Sequence, residues 1–190
     1  MTRQMTLTQA VLPTDSWFAK LALVLAGSFL VAVSARAEVP MFPVPMSLQT
    51  LAISLIGLTY GARLAGATLL AYLAQGAVGL PVFAGGGAGV AYMMGPTGGY
   101  LLGFVGMAWL TGLMVERGFG RGLPRLVVAA LVPATLLFVP GVAWLWAVTP
   151  LDLNGAIAAG MLPFLLGGVV KSAVAAMIAA GGWQALRSQK

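Results

Sequence analysis

The chain has 190 residues, of which 60% are hydrophobic and only 7% charged, and its formal net charge is +6. A water-soluble domain carries about 25% charged residues, so this composition excludes a soluble globular protein and is typical of a protein embedded in a bilayer. Histidine and cysteine are both absent, which excludes disulfides and removes the commonest metal ligand and general base.

Six apolar stretches are predicted to cross the membrane, since a spanning helix needs about 20 predominantly apolar residues. The predicted spans are residues 18–35, 47–60, 62–79, 96–115, 125–148 and 157–182. The second span is short and is expected to tilt or to lie in a thinner part of the bilayer. Residues 1–190 are therefore predicted to form a single transmembrane domain, an all-α bundle of six helices.

The start of the chain also has features of a secretory signal. Lys20, an apolar run and the small residues around Arg36 imitate a signal with its cleavage site. The run is long for a signal and more spans follow it, so we favour a retained first span, with cleavage as the alternative.

Basic residues are distributed unequally between the two ends of the predicted spans. With six spans both termini share a side, and that side carries Arg3, Lys20, Arg63, Arg117, Arg121, Arg125, Arg187 and Lys190. The other side has only Arg36 near it. Because cytoplasmic loops are enriched in lysine and arginine, both termini are predicted to be cytoplasmic. These residues form no single patch, so no nucleic-acid partner is expected.

Residues 80–95, between the third and fourth spans, are rich in glycine and free of charge. Irregular backbone is tolerated near a membrane only where it is buried in protein or lines a cavity. The apolar residues Pro81, Val82 and Phe83 argue against a polar surface loop. The segment is therefore predicted either to be buried in protein or to line a cavity.

Catalytic machinery is not supported by the residues present. The four acids, Asp15, Glu38, Glu116 and Asp152, lie at or outside the predicted span ends, so no carboxylate pair is placed for acid–base work. The sequence contains neither a serine nucleophile motif nor a phosphate-binding loop. We therefore expect no enzymatic activity, no ATPase, no metal site and no cofactor.

Lys171 is predicted to lie near the middle of the sixth span. A lysine at the bilayer centre costs about 2.5–3.5 kcal/mol, and no acid is predicted at matching depth. One interpretation is a structural lysine that is bonded to backbone carbonyls or faces a water-filled crevice. The interpretation we favour is an anchor for a ligand carboxylate, because intramembrane ionisable residues are functional by default.

Three segments are specific enough to indicate a protein family. They are PVPMSLQT at 43–50, GLPVFAGGG at 79–87 continuing to GPTGGY at 95–100, and PFLLGGVVK at 163–171. Together they resemble the BioY family, the biotin-specific substrate-binding (S) components of energy-coupling factor (ECF) transporters, over nearly the whole chain. The resemblance implies the six-helix S-component fold, a bacterial inner (cytoplasmic) membrane location, and biotin bound near the outer face. It also implies partners, namely a transmembrane coupling protein and two ATPases.

The same resemblance implies that the glycine-rich loop at 80–95 lines the biotin pocket, and it suggests which residues bind biotin. Those that match family segments, together with one tyrosine predicted to wall the pocket, are Gln49, Phe83, Tyr92, Thr97, Tyr100 and Lys171. The departure is Gly168, where family members usually have an aspartate three residues before the lysine. Ala22 and Ala26, four residues apart in the first span, are expected to contact the coupling protein.

Two other functions stay open at this stage. One is a self-sufficient passive channel or facilitator for a small anionic solute, because the lack of intramembrane acids argues against proton coupling but not against passive flow. The other is a structural or assembly subunit without a ligand.

Overall fold

The computed structural model describes residues 5–11 and 16–188. Its helices are α1 (Leu7–Val11), α2 (Trp17–Arg36), α3 (Gln49–Tyr60), α4 (Ala62–Ala77), α5 (Gly89–Met93), α6 (Gly98–Met114), α7 (Leu123–Leu136), α8 (Phe138–Val148), α9 (Leu153–Gly160) and α10 (Phe164–Ser188). Two short strands, β1 (Glu38–Val39) and β2 (Met46–Ser47), pair antiparallel. A 3₁₀ turn spans Ala84–Gly86 and a π-helical segment spans Val115–Phe119.

Four helical segments of the described residues are long and apolar enough to cross a membrane. They are Trp17–Arg36, Gly98–Phe119, Leu123–Val148 and Phe164–Ser188. Helices α3 and α4 are shorter, about 18 and 24 Å at 1.5 Å per residue, and they pack among these four segments, so the helix count agrees roughly with the six that were predicted. The predicted all-α bundle is confirmed.

The centre of the bundle is formed by α3 and α6. Helix α6 packs against α3, α4, α7 and α8, while α10 packs against α3 and α7, and α2 against α4. Glycines permit the closest approaches: a Cβ on Gly112 would lie 2.3 Å from the backbone nitrogen of Ala62, and one on Gly57 would lie 2.5 Å from the Thr111 Cβ. Small residues at helix contacts are the usual means of close packing in membranes.

The two ends of the bundle differ in structure. At the hairpin end, α2 ends, the β1–β2 hairpin pairs Glu38 with Ser47, and α3, α6 and α10 begin. The glycine-rich segment also lies there, and it contains the 3₁₀ turn and α5. At the opposite end, α3 turns into α4 at Gly61, and α6 continues into the π-helical segment.

The sixth predicted span differs from the structure at its start. Residues 153–160 form the separate helix α9, whose first turn is capped because the Gly155 backbone N–H donates to Asp152 Oδ1 at 2.8 Å. The chain turns at 161–163, and α10 begins directly after Pro163. The missing N–H of Pro163 disfavours one continuous helix from residue 157, although α7 accommodates Pro133 in its interior.

Because α10 begins later than predicted, Lys171 lies closer to the start of its helix than the sequence indicated. It is the eighth residue of this 25-residue helix, about two turns from the hairpin end and not near the middle of the span. Hydropathy gave too deep a position because it merged the apolar residues of α9 with those of α10.

Candidate functional site

A cavity lies at the hairpin end, between the first turns of α3, α6 and α10. Its apolar walls come mainly from α6, α10 and the junction between α7 and α8, including Leu101, Phe104, Leu137 and Phe164. Five of the six predicted ligand-binding residues line it, and they are Gln49, Tyr92, Thr97, Tyr100 and Lys171. Pockets for small ligands are mostly apolar with a few placed polar groups, and this cavity has that character.

Phe83 is the predicted residue that does not line the cavity. Its side chain is fully buried behind the wall, 5.3 Å from the Tyr92 ring centroid in a stacked arrangement. The ring occupies the space beside Gly76, where a Cβ would come within 1.9 Å of it. Phe83 therefore supports the lining residue Tyr92 from outside the cavity.

Gln49, the first residue of α3, is held by three hydrogen bonds. Its Oε1 accepts from the Ser47 hydroxyl at 2.8 Å, and its Nε2 donates to the Tyr72 hydroxyl at 2.7 Å. Its backbone N–H donates to Ser47 Oγ at 3.3 Å, so Ser47 serves the helix start from one residue before the N-cap position, Leu48. The amide is thereby fixed at the cavity wall.

Lys171 reaches across from α10 to the hairpin. Its Nζ donates to the Ser47 carbonyl at 2.9 Å, and among residues 5–11 and 16–188 it forms no ion pair. An ammonium has three protons to donate, so capacity remains for an acceptor in the cavity. The side chain also lines a second, more open cavity between the hairpin and α10, together with Glu38.

Gly168 lies one turn before Lys171 and lines the same cavity. Apart from the adjacent backbone, no heavy atom of the described residues lies within 4 Å of a Cβ placed on it. The space for an acidic side chain is thus present although the acid is absent. As a result, Lys171 faces the cavity without a carboxylate neighbour on its own helix.

Two tyrosines of the wall are oriented by specific contacts. The Tyr100 hydroxyl donates to the Gly160 carbonyl at 2.6 Å, which ties α6 to the end of α9. Burial raises the pKa of the Tyr92 phenol, against the opposing effect of a hydrogen bond with Thr97, so Tyr92 keeps its proton at neutral pH. Both tyrosines therefore contribute uncharged aromatic rings to the cavity wall.

Thr50 is a polar residue of the cavity that the sequence did not single out. Its Oγ1 is buried and has no hydrogen-bond partner among the described residues, although the residue lines the cavity. A buried polar atom without a partner costs about 1–3 kcal/mol. Its position next to Gln49 on the first turn of α3 was the only signal available in the sequence.

Residues predicted to contact a coupling protein lie away from the cavity. Ala22 and Ala26 are both exposed on the outer face of α2. The described basic residues follow the predicted asymmetry: Lys20, Arg63, Arg117, Arg121, Arg125 and Arg187 lie toward the opposite end and Arg36 at the hairpin end. Arg3, Asp15 and Lys190 fall outside the described residues.

The arrangement suits binding more than chemistry. Within residues 5–11 and 16–188, no group of three or more histidine, cysteine, aspartate or glutamate side chains is placed to hold a metal. The cavity offers an ammonium, an amide and hydroxyls on apolar walls. Such a site fits a compact, mostly apolar molecule that carries a carboxylate and an amide-like group.

Comparison with known proteins gives a consistent result. The model of the BioY family matches residues 2–188. A probable biotin transporter BioY from Pyrococcus horikoshii is 37% identical over 150 residues, which cover 79% of this chain and 87% of that protein. The biotin transporter BioY from Thermotoga maritima is 33% identical, with 83% of this chain and 92% of that protein covered.

A solved structure has the same fold. It is the S-component for biotin from an ECF-type ABC transporter, with a TM-score of 0.75 and 22% sequence identity. The match covers 92% of this chain and 95% of that one. At this identity the likeness describes the arrangement of the helices.

Proposed function

The chain belongs to the BioY family, and on this premise we propose that it binds biotin in the cavity at the hairpin end and delivers it to an ATP-driven coupling module. The family resemblance found in the sequence is confirmed, and it identifies a membrane transporter subunit and not an enzyme. The observation that carries the proposed ligand site is the position of Lys171 on the wall of an apolar cavity, where its ammonium has no acidic partner among the residues that the structure describes.

The chemistry of biotin matches the cavity group by group. Biotin combines an apolar bicycle and tail with a carboxylate and a ureido group that both donates and accepts. Lys171 offers a cation to the carboxylate, which gains most where water is excluded. Gln49, Thr97 and Thr50 offer hydrogen-bonding groups to the ureido ring, and Tyr92 and Tyr100 wall the bicycle. Phe83 takes part indirectly, through its stack with Tyr92.

Titration of the purified protein with biotin tests this function. We expect saturable, tight binding, and we expect Lys171→Ala to weaken it by about 2–5 kcal/mol, or at least about 30-fold, because a buried charge pair is truncated. Lys20→Ala, an exposed lysine at the opposite end of the bundle, is the matched control. Wild-type protein that binds no biotin would refute the function, whereas unchanged affinity in Lys171→Ala would refute only the role of the lysine.

The proposed energising partners are a transmembrane coupling protein and two ATPases in the bacterial inner (cytoplasmic) membrane, with both termini of this chain in the cytoplasm. The excess of basic residues at the opposite end supports that orientation. The exposed alanines Ala22 and Ala26 on α2 support a docking face for a helix of the coupling protein.

Reconstitution separates coupling from binding. Ala22→Trp with Ala26→Trp should abolish biotin uptake by proteoliposomes that contain the complete transporter, because the bulky rings keep the partner helix away, while biotin affinity stays unchanged. The matched control is Val128→Trp, at an exposed apolar position on α7 and not on the face of α2 that carries the two alanines. Loss of biotin binding in the double variant would contradict the proposed contact. Uptake by the protein alone would instead indicate a passive facilitator.

A further inference from the structure

Tyr72 lies on α4, behind the cavity and not on its wall. Its side chain is fully buried, and it is absent from the residues that line the cavity. Even so, its hydroxyl makes two hydrogen bonds to elements that form the site. One joins its hydroxyl to Gln49 on α3, and the other joins it to the Val82 carbonyl at the start of the glycine-rich segment.

The directions of these two bonds follow from hydrogen-bonding capacity. A backbone carbonyl only accepts, so the single hydroxyl proton of Tyr72 goes to Val82 at 3.0 Å. The tyrosine oxygen must then accept from Gln49, and it therefore faces the NH₂ group of the amide at 2.7 Å. The Oε1 atom is left facing the Ser47 hydroxyl. The carbonyl of Val82 thus determines, through Tyr72, which way round the Gln49 amide stands.

The ring of Tyr72 adds a second connection to the glycine-rich segment. It packs edge-on against Phe83, with ring centroids 5.5 Å apart, and Phe83 stacks on the cavity-lining Tyr92. Edge-to-face and stacked aromatic pairs prefer defined geometries. One buried side chain therefore contacts both the amide at the start of α3 and the segment that carries Tyr92.

We propose that Tyr72 is a positioning residue of the pocket: without touching the ligand, it sets the orientation of the Gln49 amide and holds the glycine-rich segment in place at Val82. This inference deepens the proposed function and rests on it for the identity of the ligand. The amide presented to the cavity then has a fixed sense, with Nε2 on the Tyr72 side and Oε1 on the Ser47 side. A ligand whose donors and acceptors are arranged in a fixed order can pair with the Gln49 amide only in this orientation.

A double-mutant cycle tests the connection to Gln49. Tyr72→Phe keeps the ring and its contact with Phe83 but removes the hydroxyl, and we expect biotin affinity to fall roughly tenfold. In a Gln49→Met background the same change should cost less than about threefold, since the amide it orients is gone. Tyr60→Phe is the matched control, because Tyr60 makes no side-chain hydrogen bond among the described residues and lies away from the cavity. Equal losses in both backgrounds would overturn the proposal, because a general structural effect is independent of Gln49.

A ligand-independent measurement tests the hold on the glycine-rich segment. The chain has no cysteine, so Ala84→Cys, at a buried position beside Phe83, gives a single thiol whose labelling rate reports opening of the segment. We expect Tyr72→Phe to raise that rate severalfold and Tyr60→Phe to leave it unchanged. An unchanged rate in Tyr72→Phe would overturn the proposal. If the wild-type protein bound no biotin and the rate still rose, the proposed ligand would fail while the positioning role stood.

Discussion

At the hairpin end, Gly85 and Gly86 adopt left-handed backbone angles, with φ of 63° and 76°, whereas at the opposite end Gly57 and Gly112 lie in regular helix and face the next helix directly. The first pair lets the chain take a path that side chains would disfavour. The second pair lets helices approach closely, with Gly112 against the backbone of Ala62 and Gly57 against the side chain of Thr111. Glycine thus shapes a cavity wall at one end and closes the bundle tightly at the other.

The distribution of charge and polar contacts follows the same division. At the hairpin end, Lys171, Gln49 and Thr50 retain hydrogen-bonding capacity toward the cavity. At the opposite end, the Glu116 carboxylate accepts from the Ala62 backbone N–H at 3.0 Å, and Arg121 stacks over the Trp183 ring at 3.6 Å. Glu116 and Arg121 thus help to hold the helices together at the opposite end, whereas the polar groups at the hairpin end can still form hydrogen bonds with a ligand.

The largest effect is expected at the close-packed end, from Gly112→Val. A Cβ there would lie 2.3 Å from the Ala62 nitrogen, and backbone cannot yield as a flexible side chain can. Overpacking of this kind costs about 1–3 kcal/mol, occasionally more, so we expect a lower melting temperature and poor recovery of folded protein. Gly106→Val on the same helix is the control, since a Cβ at Gly106 has open space within 4 Å among the described residues, apart from the backbone of its own helix. Equal stability of the two variants would show that α6 can move away from α4.

An intermediate effect is expected at the cavity, from Gly168→Asp. The new side chain has open space, so stability should hold, but it would place a carboxylate one turn from Lys171 and compete with the carboxylate of the ligand. The ratio of the dissociation constants of biotin carboxamide and biotin should fall roughly tenfold, about 1.4 kcal/mol. Gly168→Asn, equal in size and uncharged, should leave the ratio unchanged. A ratio that stays the same in the aspartate variant would argue that Lys171 does not read the carboxylate.

The smallest effect is expected from Thr50→Val, which removes the buried hydroxyl that has no partner. Because that hydroxyl costs free energy in the ligand-free protein, the variant should unfold at a higher temperature, by about 1 kcal/mol of stability, and should bind biotin a fewfold more weakly. Thr111→Val is the comparison, since the Thr111 hydroxyl donates to the Met107 carbonyl at 2.8 Å and its loss brings no such gain. A Thr50→Val protein no more stable than wild type would mean that the hydroxyl is not a liability without ligand.

The bundle could be predicted from the sequence to a large extent. The all-α class and the approximate number of helices follow from hydropathy, because a bilayer requires each spanning segment to be apolar and to satisfy its backbone internally. The boundary at residue 157 could not be predicted in this way. Hydropathy does not distinguish α9 from α10, since both are apolar, and the turn at 161–163 depends on how the chain packs around Pro163.

The candidate site was predicted less completely. Gln49, Tyr92, Thr97, Tyr100 and Lys171 meet at one cavity, as the family segments indicate, and their contact with a ligand stays a prediction. Phe83 shares a segment with Tyr92 but is buried behind it, and a segment match carries no information on which side a ring takes. Thr50 also lines the cavity, because α3 is rotated about its axis so that this residue faces inward. The sequence alone does not specify that rotation.

The sequence by itself determined the membrane setting, the helical class and the family, because those depend on which residues are present and in what order. Only the tertiary structure decided that the Lys171 ammonium meets the Ser47 carbonyl, 124 positions away, and that Tyr72 joins Gln49 to Val82. Hydrogen bonds of this kind join residues far apart in the chain, and their direction depends on the distances and orientations that packing imposes. The sequence shows which hydrogen-bonding side chains are present, and the packing of the helices determines which of them can still bind a ligand.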